Sequence, residues 1–144
     1  MNLSSATVLL TNDDGINAKG LEVLSKANAP LVREVWVVAP EGEQSASGHS
    51  LTLRQPLRIR EISDKKFAVN GTPSDCVLLG LSEVMSGSPP DFVLSGINRG
   101  GNLGGDITYS GTVAGAMEGA FHGIQSIAFS QVYQDGYDLS LIHI

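Results

Sequence analysis

Short apolar runs, separated by polar turns and longer mixed segments, organise this chain. Runs that are each long enough for one strand lie at residues 8–11, 35–39, 92–97 and 126–130. Nearly continuous apolar runs are typical of strands buried on both faces, as in a parallel sheet. Segments that suit helices, at 16–29, 73–85 and 113–121, alternate with them. The pattern predicts an α/β fold with a mostly parallel sheet and helices on both faces.

The middle of the chain departs from this alternation. Residues 51–53, 57–62 and 67–69 are predicted to be short strands in one or two hairpins, with a turn at 63–66. Thr72 suits the N-cap of the next helix, Pro73 suits its first position, and Asp75 suits its positive end. Cys76 follows within this helix and is predicted to be a buried core thiol.

Two adjacent acids, Asp13 and Asp14, directly follow the first predicted strand. Ligands of open α/β sheets bind outside the carboxyl ends of the strands, so this carboxylate pair suits a cation site. The same Asn-Asp-Asp-Gly stretch is also good turn chemistry. The stretch by itself leaves the metal site and the plain turn open.

Further oxygen donors follow two other predicted strands. Ser45 lies in a polar loop after the strand at 35–39, and Asn98 ends the strand that begins at 92. Together with Asp13 and Asp14 these are hard ligands of the kind that Mg²⁺ or Mn²⁺ prefers. The loop around Ser45, taken alone, is better explained as a flexible surface loop.

A glycine-rich loop at 99–106 leads into Ser110, Gly111 and Thr112, where the next helix is predicted to begin. Free N–H groups and the helix dipole make such a start a ready phosphate site. The alternative is that small residues here only allow close packing of the helix on the sheet. A cation beside a phosphate cradle favours phosphate-ester hydrolysis as the chemistry.

Composition narrows the classes of function. The chain has 144 residues and a net charge of −6 without a basic run, so binding to a nucleic acid polymer is not expected. One cysteine excludes an internal disulfide. No apolar run approaches the ~20 residues of a membrane span, and the N-terminus lacks a signal-peptide pattern. A cytoplasmic protein with no membrane association is therefore expected.

Five segments resemble motifs of the SurE family of stationary-phase survival proteins, and they occur in the family's order. They are LLTNDDG at 9–15, VVAPEGEQS at 37–45, GTPSDC at 71–76, SGINRGGNLG at 95–104 and YSGTVAGAME at 109–118. The resemblance implies a Rossmann-like three-layer sandwich. It also implies a metal-dependent phosphatase that acts on nucleoside 5′- and 3′-monophosphates, working as a homodimer or homotetramer.

The resemblance also assigns roles to individual residues. A divalent metal, Mg²⁺ or Mn²⁺, would be bound by Asp13, Asp14, Ser45 and Asn98. In metal-assisted hydrolysis Asp13 or Asp14 would accept the proton of the attacking water, and the sequence does not decide which. The phosphate would be bound by Asn102, Ser110, Gly111 and Thr112. His49 and His122 have no assigned role and are expected to be structural or exposed.

The resemblance fades after about residue 130. Residues 1–130 are expected to form the N-terminal portion of the family domain, and residues 131–144 a non-matching tail, disordered or mis-joined. A binding remnant without turnover is therefore one alternative. A receiver-type signalling domain that binds Mg²⁺ is another, although Asn98 and Ser130 stand where that class needs aspartate and lysine.

Overall fold

A six-stranded sheet lies at the centre of the computed structural model, which describes residues 2–132. Its strands are β1 (Thr7–Thr11), β2 (Glu34–Pro40), β3 (Ile59–Ser63), β4 (Lys66–Val69), β5 (Phe92–Arg99) and β6 (Gln125–Gln131). Their order across the sheet is β3-β4-β2-β1-β5-β6. Only β3 runs antiparallel to its neighbour. The predicted α/β class with a mostly parallel sheet is confirmed.

Helices cover both faces of this sheet. They are α1 (Lys19–Asn28), α2 (Pro73–Leu79), which continues into a π-helical turn (Gly80–Val84), the short α3 (Asp106–Tyr109) and α4 (Gly111–Phe121). A 3-10 turn (Leu3–Ser5) precedes β1. None of the helices in the described part of the chain is long and apolar enough to cross a membrane. Residues 133–144 of the predicted tail lie outside the described residues.

Two apolar clusters form the core, one on each face of the sheet. Alternate side chains of β1 divide between them: Val8 and Leu10 pack with α1, and Leu9 packs with α2. Cys76 belongs to the second cluster and is fully buried, which confirms its prediction as a core thiol. The arrangement is a three-layer sandwich, and it brings the carboxyl ends of β1, β2 and β5 to one edge.

The hairpin of β3 and β4 and its turn are confirmed, but the predicted strand at 51–53 is wrong. The residues there form no strand, because Thr52 is bound to the start of α2 instead of to a neighbouring strand. Its backbone N–H and its hydroxyl donate to the two carboxylate oxygens of Asp75, at 3.0 and 2.6 Å. Asp75 also completes the capping box with Thr72, so the predicted helix start is confirmed.

Glycines allow α4 to approach the sheet. Gly111, Gly115 and Gly119 recur every four residues and therefore share one helix face. A Cβ on Gly115 would lie 2.8 Å from Thr11 Cγ2 and 2.9 Å from Ser95 Oγ. The packing explanation for these small residues is therefore correct along most of the helix.

Candidate active site

Asn12 forms the turn after β1 and leaves the two acids available for other contacts. It is fully buried, its Nδ2 donates to the Gly15 carbonyl at 3.0 Å, and its Oδ1 accepts from the Gly15 N–H at 3.2 Å. Gly15 adopts a left-handed φ of 100°, which favours glycine there. The turn is thus made by Asn12 and Gly15, and the carboxylates of Asp13 and Asp14 take no part in its hydrogen bonds.

Asp13 is held in place from the start of α4. The Thr112 hydroxyl donates to Asp13 Oδ1, and both residues are buried. Burial raises the pKa of the Asp13 carboxyl, and the negative charge of Asp14 adds to this rise, while the bond from Thr112 opposes it. Two carboxylates whose charges disfavour each other are an environment that a cation relieves.

Asp14 joins the end of β1 to the end of β5, since its Oδ2 accepts from the backbone N–H of Arg99 at 3.2 Å. Neighbouring Asn98 donates from Nδ2 to the Gly100 carbonyl at 2.9 Å. This bond fixes the amide plane and leaves Oδ1, on the other branch, as the oxygen that would bind a cation. Both acids and the amide therefore reach the same sheet edge.

The loop that carries Ser45 folds over this edge. Its Gln44 N–H donates to the Asp13 carbonyl at 2.7 Å, and its Gly48 N–H donates to the Tyr109 carbonyl at 3.1 Å. The Ser45 hydroxyl donates to Glu43 Oε1 at 2.6 Å, so its lone pairs remain available to a cation. These bonds place the loop at the same sheet edge as Asp13, as expected for a loop that follows a parallel strand.

The result is a cleft of about 330 Å³. Six of the eight predicted site residues line it: Asp13, Asp14, Ser45, Asn98, Asn102 and Ser110. Sequence reasoning missed its other lining side chains, which include Glu43, Arg99, Asp106 and Tyr109. Glu43 is two residues from Ser45, and Asp106 ends the glycine-rich stretch that holds Asn102. This closeness in sequence is the signal that was available for the two acids.

Gly111 and Thr112 lie behind the cleft instead of lining it. Ser110 caps α4 by accepting from the Val113 N–H at 3.2 Å. A Cβ on Gly111 would lie 2.8 Å from Asp13 Cβ and from Ser47 Oγ, so glycine is needed for the approach. The Thr112 hydroxyl donates to Asp13, so only the backbone N–H of Thr112 remains for the predicted contact with phosphate.

Asn102 reaches the cleft from the glycine-rich loop. Its backbone N–H donates to Ser130 Oγ at 3.3 Å. Its Nδ2 is buried and has no hydrogen-bond partner among the described residues. A buried donor without a partner costs free energy, and this one belongs to a residue that lines the cleft.

The residues present fit a hard divalent cation. Within residues 2–132 no group of three or more His, Cys, Asp or Glu side chains is arranged to hold a metal. The candidate site instead combines two carboxylates with a hydroxyl and an amide oxygen, ligands that suit Mg²⁺ or Mn²⁺ and suit Zn²⁺ less well.

Comparisons with known proteins point to one family. The family model described as "Survival protein SurE" matches residues 8–142. A protein of Paramagnetospirillum magneticum named "5'-nucleotidase SurE" is 60% identical over 128 residues, which are 89% of this chain and 49% of that protein. One of the same name from Rhodospirillum rubrum is 56% identical over 132 residues, 92% of this chain and 50% of that protein.

A solved structure extends the similarity to the fold. The crystal structure of the SurE protein from Aquifex aeolicus superposes with a TM-score of 0.88 at 50% sequence identity. The match covers 93% of this chain and 54% of that one. The chain thus spans about half the length of the curated relatives it matches. The matched family model and the similarity to these relatives show that this chain belongs to the SurE family.

Proposed function

We propose that this chain carries the catalytic cleft of a metal-dependent phosphomonoesterase that hydrolyses nucleoside 5′- and 3′-monophosphates to nucleoside and phosphate. The observation that carries the proposal is the meeting of Asp13, Asp14, Ser45 and Asn98 in one cleft. Ser110, at the start of α4, lines the same cleft. Relatives at 56% to 60% identity that are named 5'-nucleotidase support the choice of substrate.

Mg²⁺ or Mn²⁺ would be held by the carboxylates of Asp13 and Asp14, the Ser45 hydroxyl and the Asn98 amide oxygen. Such a cation would supply positive charge to the phosphate and lower the pKa of a coordinated water. The carboxylates orient the reacting groups at the end of β1. Rigid support for that role comes from the Asn12 turn and from the hydrogen bond between Thr112 and Asp13.

Proton transfer falls to the aspartates. An attacking water must lose a proton as it bonds to phosphorus, and a carboxylate oxygen within hydrogen-bond reach would accept it. Asp13 Oδ1 is occupied by Thr112, so Oδ2 is the atom of Asp13 that remains for a proton or a cation. Asp14 and Asp13 both line the cleft, so either serves as the base in this proposal.

Phosphate binding falls to the start of α4 and to Asn102. Negative charge is stabilised near a helix N-terminus, where backbone N–H groups point outward. The partnerless Nδ2 of Asn102 would donate to a phosphate oxygen. The start of α4 and Asn102 lie beside Asp13 and Asp14. Hydrolysis of a phosphate monoester requires this arrangement of phosphate-binding groups next to the metal ligands.

The test is release of inorganic phosphate from AMP and GMP by the purified chain, with Mn²⁺ or Mg²⁺ and again with EDTA. Asp14→Asn should abolish release, since it removes a charged ligand while keeping the size of the side chain. Asp64→Asn is the matched control. Asp64 is exposed in the turn between β3 and β4, at the end of the sheet that lies opposite the cleft. We expect phosphate release by the wild type and by Asp64→Asn, and none by Asp14→Asn.

A folded chain that binds Mn²⁺ and nucleotide without releasing phosphate would refute the proposal and identify a binding remnant. The receiver-type alternative is not favoured, since the chain matches the SurE family model. Assembly as a homodimer or homotetramer, a cytoplasmic location and a domain boundary at residue 130 stay predictions.

A further inference from the structure

The loop over the cleft has a third anchor that the site residues do not explain. His49 Nε2 lies 2.6 Å from Glu118 Oε2, and the Glu118 side chain is 10% exposed. The His49 ring also stacks on Phe121, with 5.3 Å between ring centroids and 23° between planes. His122 contacts the other carboxylate oxygen of Glu118 at 3.3 Å. A buried carboxylate of α4 therefore holds a side chain of the Ser45 loop.

Three features of this loop make the anchor important. Besides His49, single backbone bonds tie Gln44 to Asp13 and Gly48 to Tyr109, and the Thr72 hydroxyl donates to the Ser50 carbonyl at 2.7 Å just beyond His49. Ala46 adopts a left-handed φ of 57°, which costs free energy for a residue with a Cβ. Most of the loop's side chains are exposed, so apolar burial contributes little to holding it. A loop of this kind opens readily unless a side chain fixes it.

Geometry connects the anchor to the candidate ligand. Gly111 and Glu118 are about two turns apart on one side of α4, and Gly111 packs against Asp13 and Ser47. Helix α4 therefore contacts both Asp13 and the loop, the latter at His49, four residues beyond Ser45. A contact at His49 restricts Ser45 with respect to Asp13 through a rigid element.

We propose that His49 and Glu118 are positioning residues that clamp the Ser45 loop against α4 and so preform the cation site. The inference rests on the proposed metal site. It assigns a task to His49 that residue type and position alone did not indicate. Neither side chain touches the cleft, so both act through Ser45.

His49→Ala tests the clamp, and Glu118→Gln tests it from the helix side while keeping the shape of the side chain. His122→Ala is the matched control, because it removes a histidine contact from the same carboxylate and leaves the loop untouched. The first readout is hydrogen exchange of the Gln44 and Gly48 amides. The second is Mn²⁺ binding without substrate, followed by electron paramagnetic resonance.

We expect His49→Ala to speed exchange of both amides about tenfold, the effect of losing one hydrogen bond to a charged group. Glu118→Gln should speed exchange by a smaller factor, because its amide oxygen still accepts from His49 but carries no charge. Mn²⁺ affinity should fall about fivefold to tenfold in His49→Ala and less in Glu118→Gln, since the competent loop state becomes less populated. His122→Ala should change both readouts less than twofold. The double variant of His49 and Glu118 should be no worse than His49→Ala alone, since both substitutions act on one interaction.

Unchanged loop exchange in His49→Ala would overturn the inference, as would equal effects of His49→Ala and His122→Ala. These readouts need no turnover, so they separate this inference from the proposed function. Wild-type protein that binds Mn²⁺ and loses affinity on His49→Ala supports the clamp even if no phosphate is released.

Discussion

Gly115→Ala is expected to destabilise the protein, although alanine is the better helix former. Gly115 lies in the middle of α4, where that preference is worth about 1 kcal/mol. Its new Cβ would lie 2.8 Å from Thr11 Cγ2, 2.9 Å from Ser95 Oγ and 3.5 Å from Ser95 Cβ. Thr11 and Ser95 are fully buried and paired on adjacent strands, so relief of the clash requires a shift in the core.

The magnitude follows from these distances. Carbon atoms in contact are ordinarily about 3.5–4.0 Å apart, so the helix must move away from the sheet by several tenths of an ångström. Overpacking of this kind costs about 1–3 kcal/mol, and two clashes with rigid partners place the cost near the upper end. After the helix-propensity gain, the free energy of unfolding should fall by about 2 kcal/mol.

Urea unfolding of the full 144-residue chain measures this change. With an m-value of about 2 kcal/mol/M, the midpoint should fall by about 1 M. Met117 is exposed on the same helix, so the difference between Met117→Ala and Met117→Gly gives the propensity contribution alone. If Gly115→Ala gained stability equal to that difference, α4 would not lie this close to the sheet and the packing argument would be refuted.

Three further predictions concern individual side chains. Asp13→Asn should stabilise the metal-free protein by about 1 kcal/mol at pH 7, a typical gain when a strained site residue is relieved. Because the pKa of Asp13 is raised by folding above its unfolded value of 3.8, ionisation opposes folding. The advantage of Asp13→Asn in urea unfolding should thus be absent below pH 3.8 and grow as pH rises through the folded pKa; a constant difference would contradict it. Thr112→Val should lower kcat/KM for AMP about tenfold through loss of the hydrogen bond to Asp13, whereas Thr112→Ser, which keeps the hydroxyl, should retain most activity. Cys76 is buried and its thiol pKa is raised well above the usual value, so a thiol reagent should label it only as fast as the protein opens. Rapid labelling under native conditions would contradict its place in the core.

The parts of the fold that sequence could predict are those fixed by local pattern. Nearly continuous apolar runs at 8–11 and 92–97 predicted β1 and β5, because a central parallel strand is buried on both faces. Thr72 and Pro73 predicted the start of α2, because capping depends on residues adjacent in sequence. The strand predicted at 51–53 failed since Asp75, 23 residues from Thr52, supplies the competing hydrogen bonds.

Some features of the candidate site could likewise be predicted from sequence, and others could not. Asp13 and Asp14 could be placed at a strand end by sequence, because strand ends follow from the apolar runs. The partner of Thr112 could not, since Asp13 is 99 residues away and only the packing of α4 brings the two together. The contact between His49 and Glu118 joins residues 69 positions apart, so it could not be predicted from sequence either. The resemblance implied that Thr112 binds phosphate, whereas tertiary packing engages its hydroxyl with Asp13.

The most direct test of the cation site is a crystal of this chain soaked with Mn²⁺ and inorganic phosphate, with anomalous scattering measured at the manganese absorption edge. The account predicts one anomalous peak in the cleft, about 2.2 Å from oxygens of Asp13 and Asp14 and within ligand distance of Ser45 and Asn98, with phosphate beside the start of α4. A peak elsewhere, or none in the cleft at saturating Mn²⁺, would contradict it.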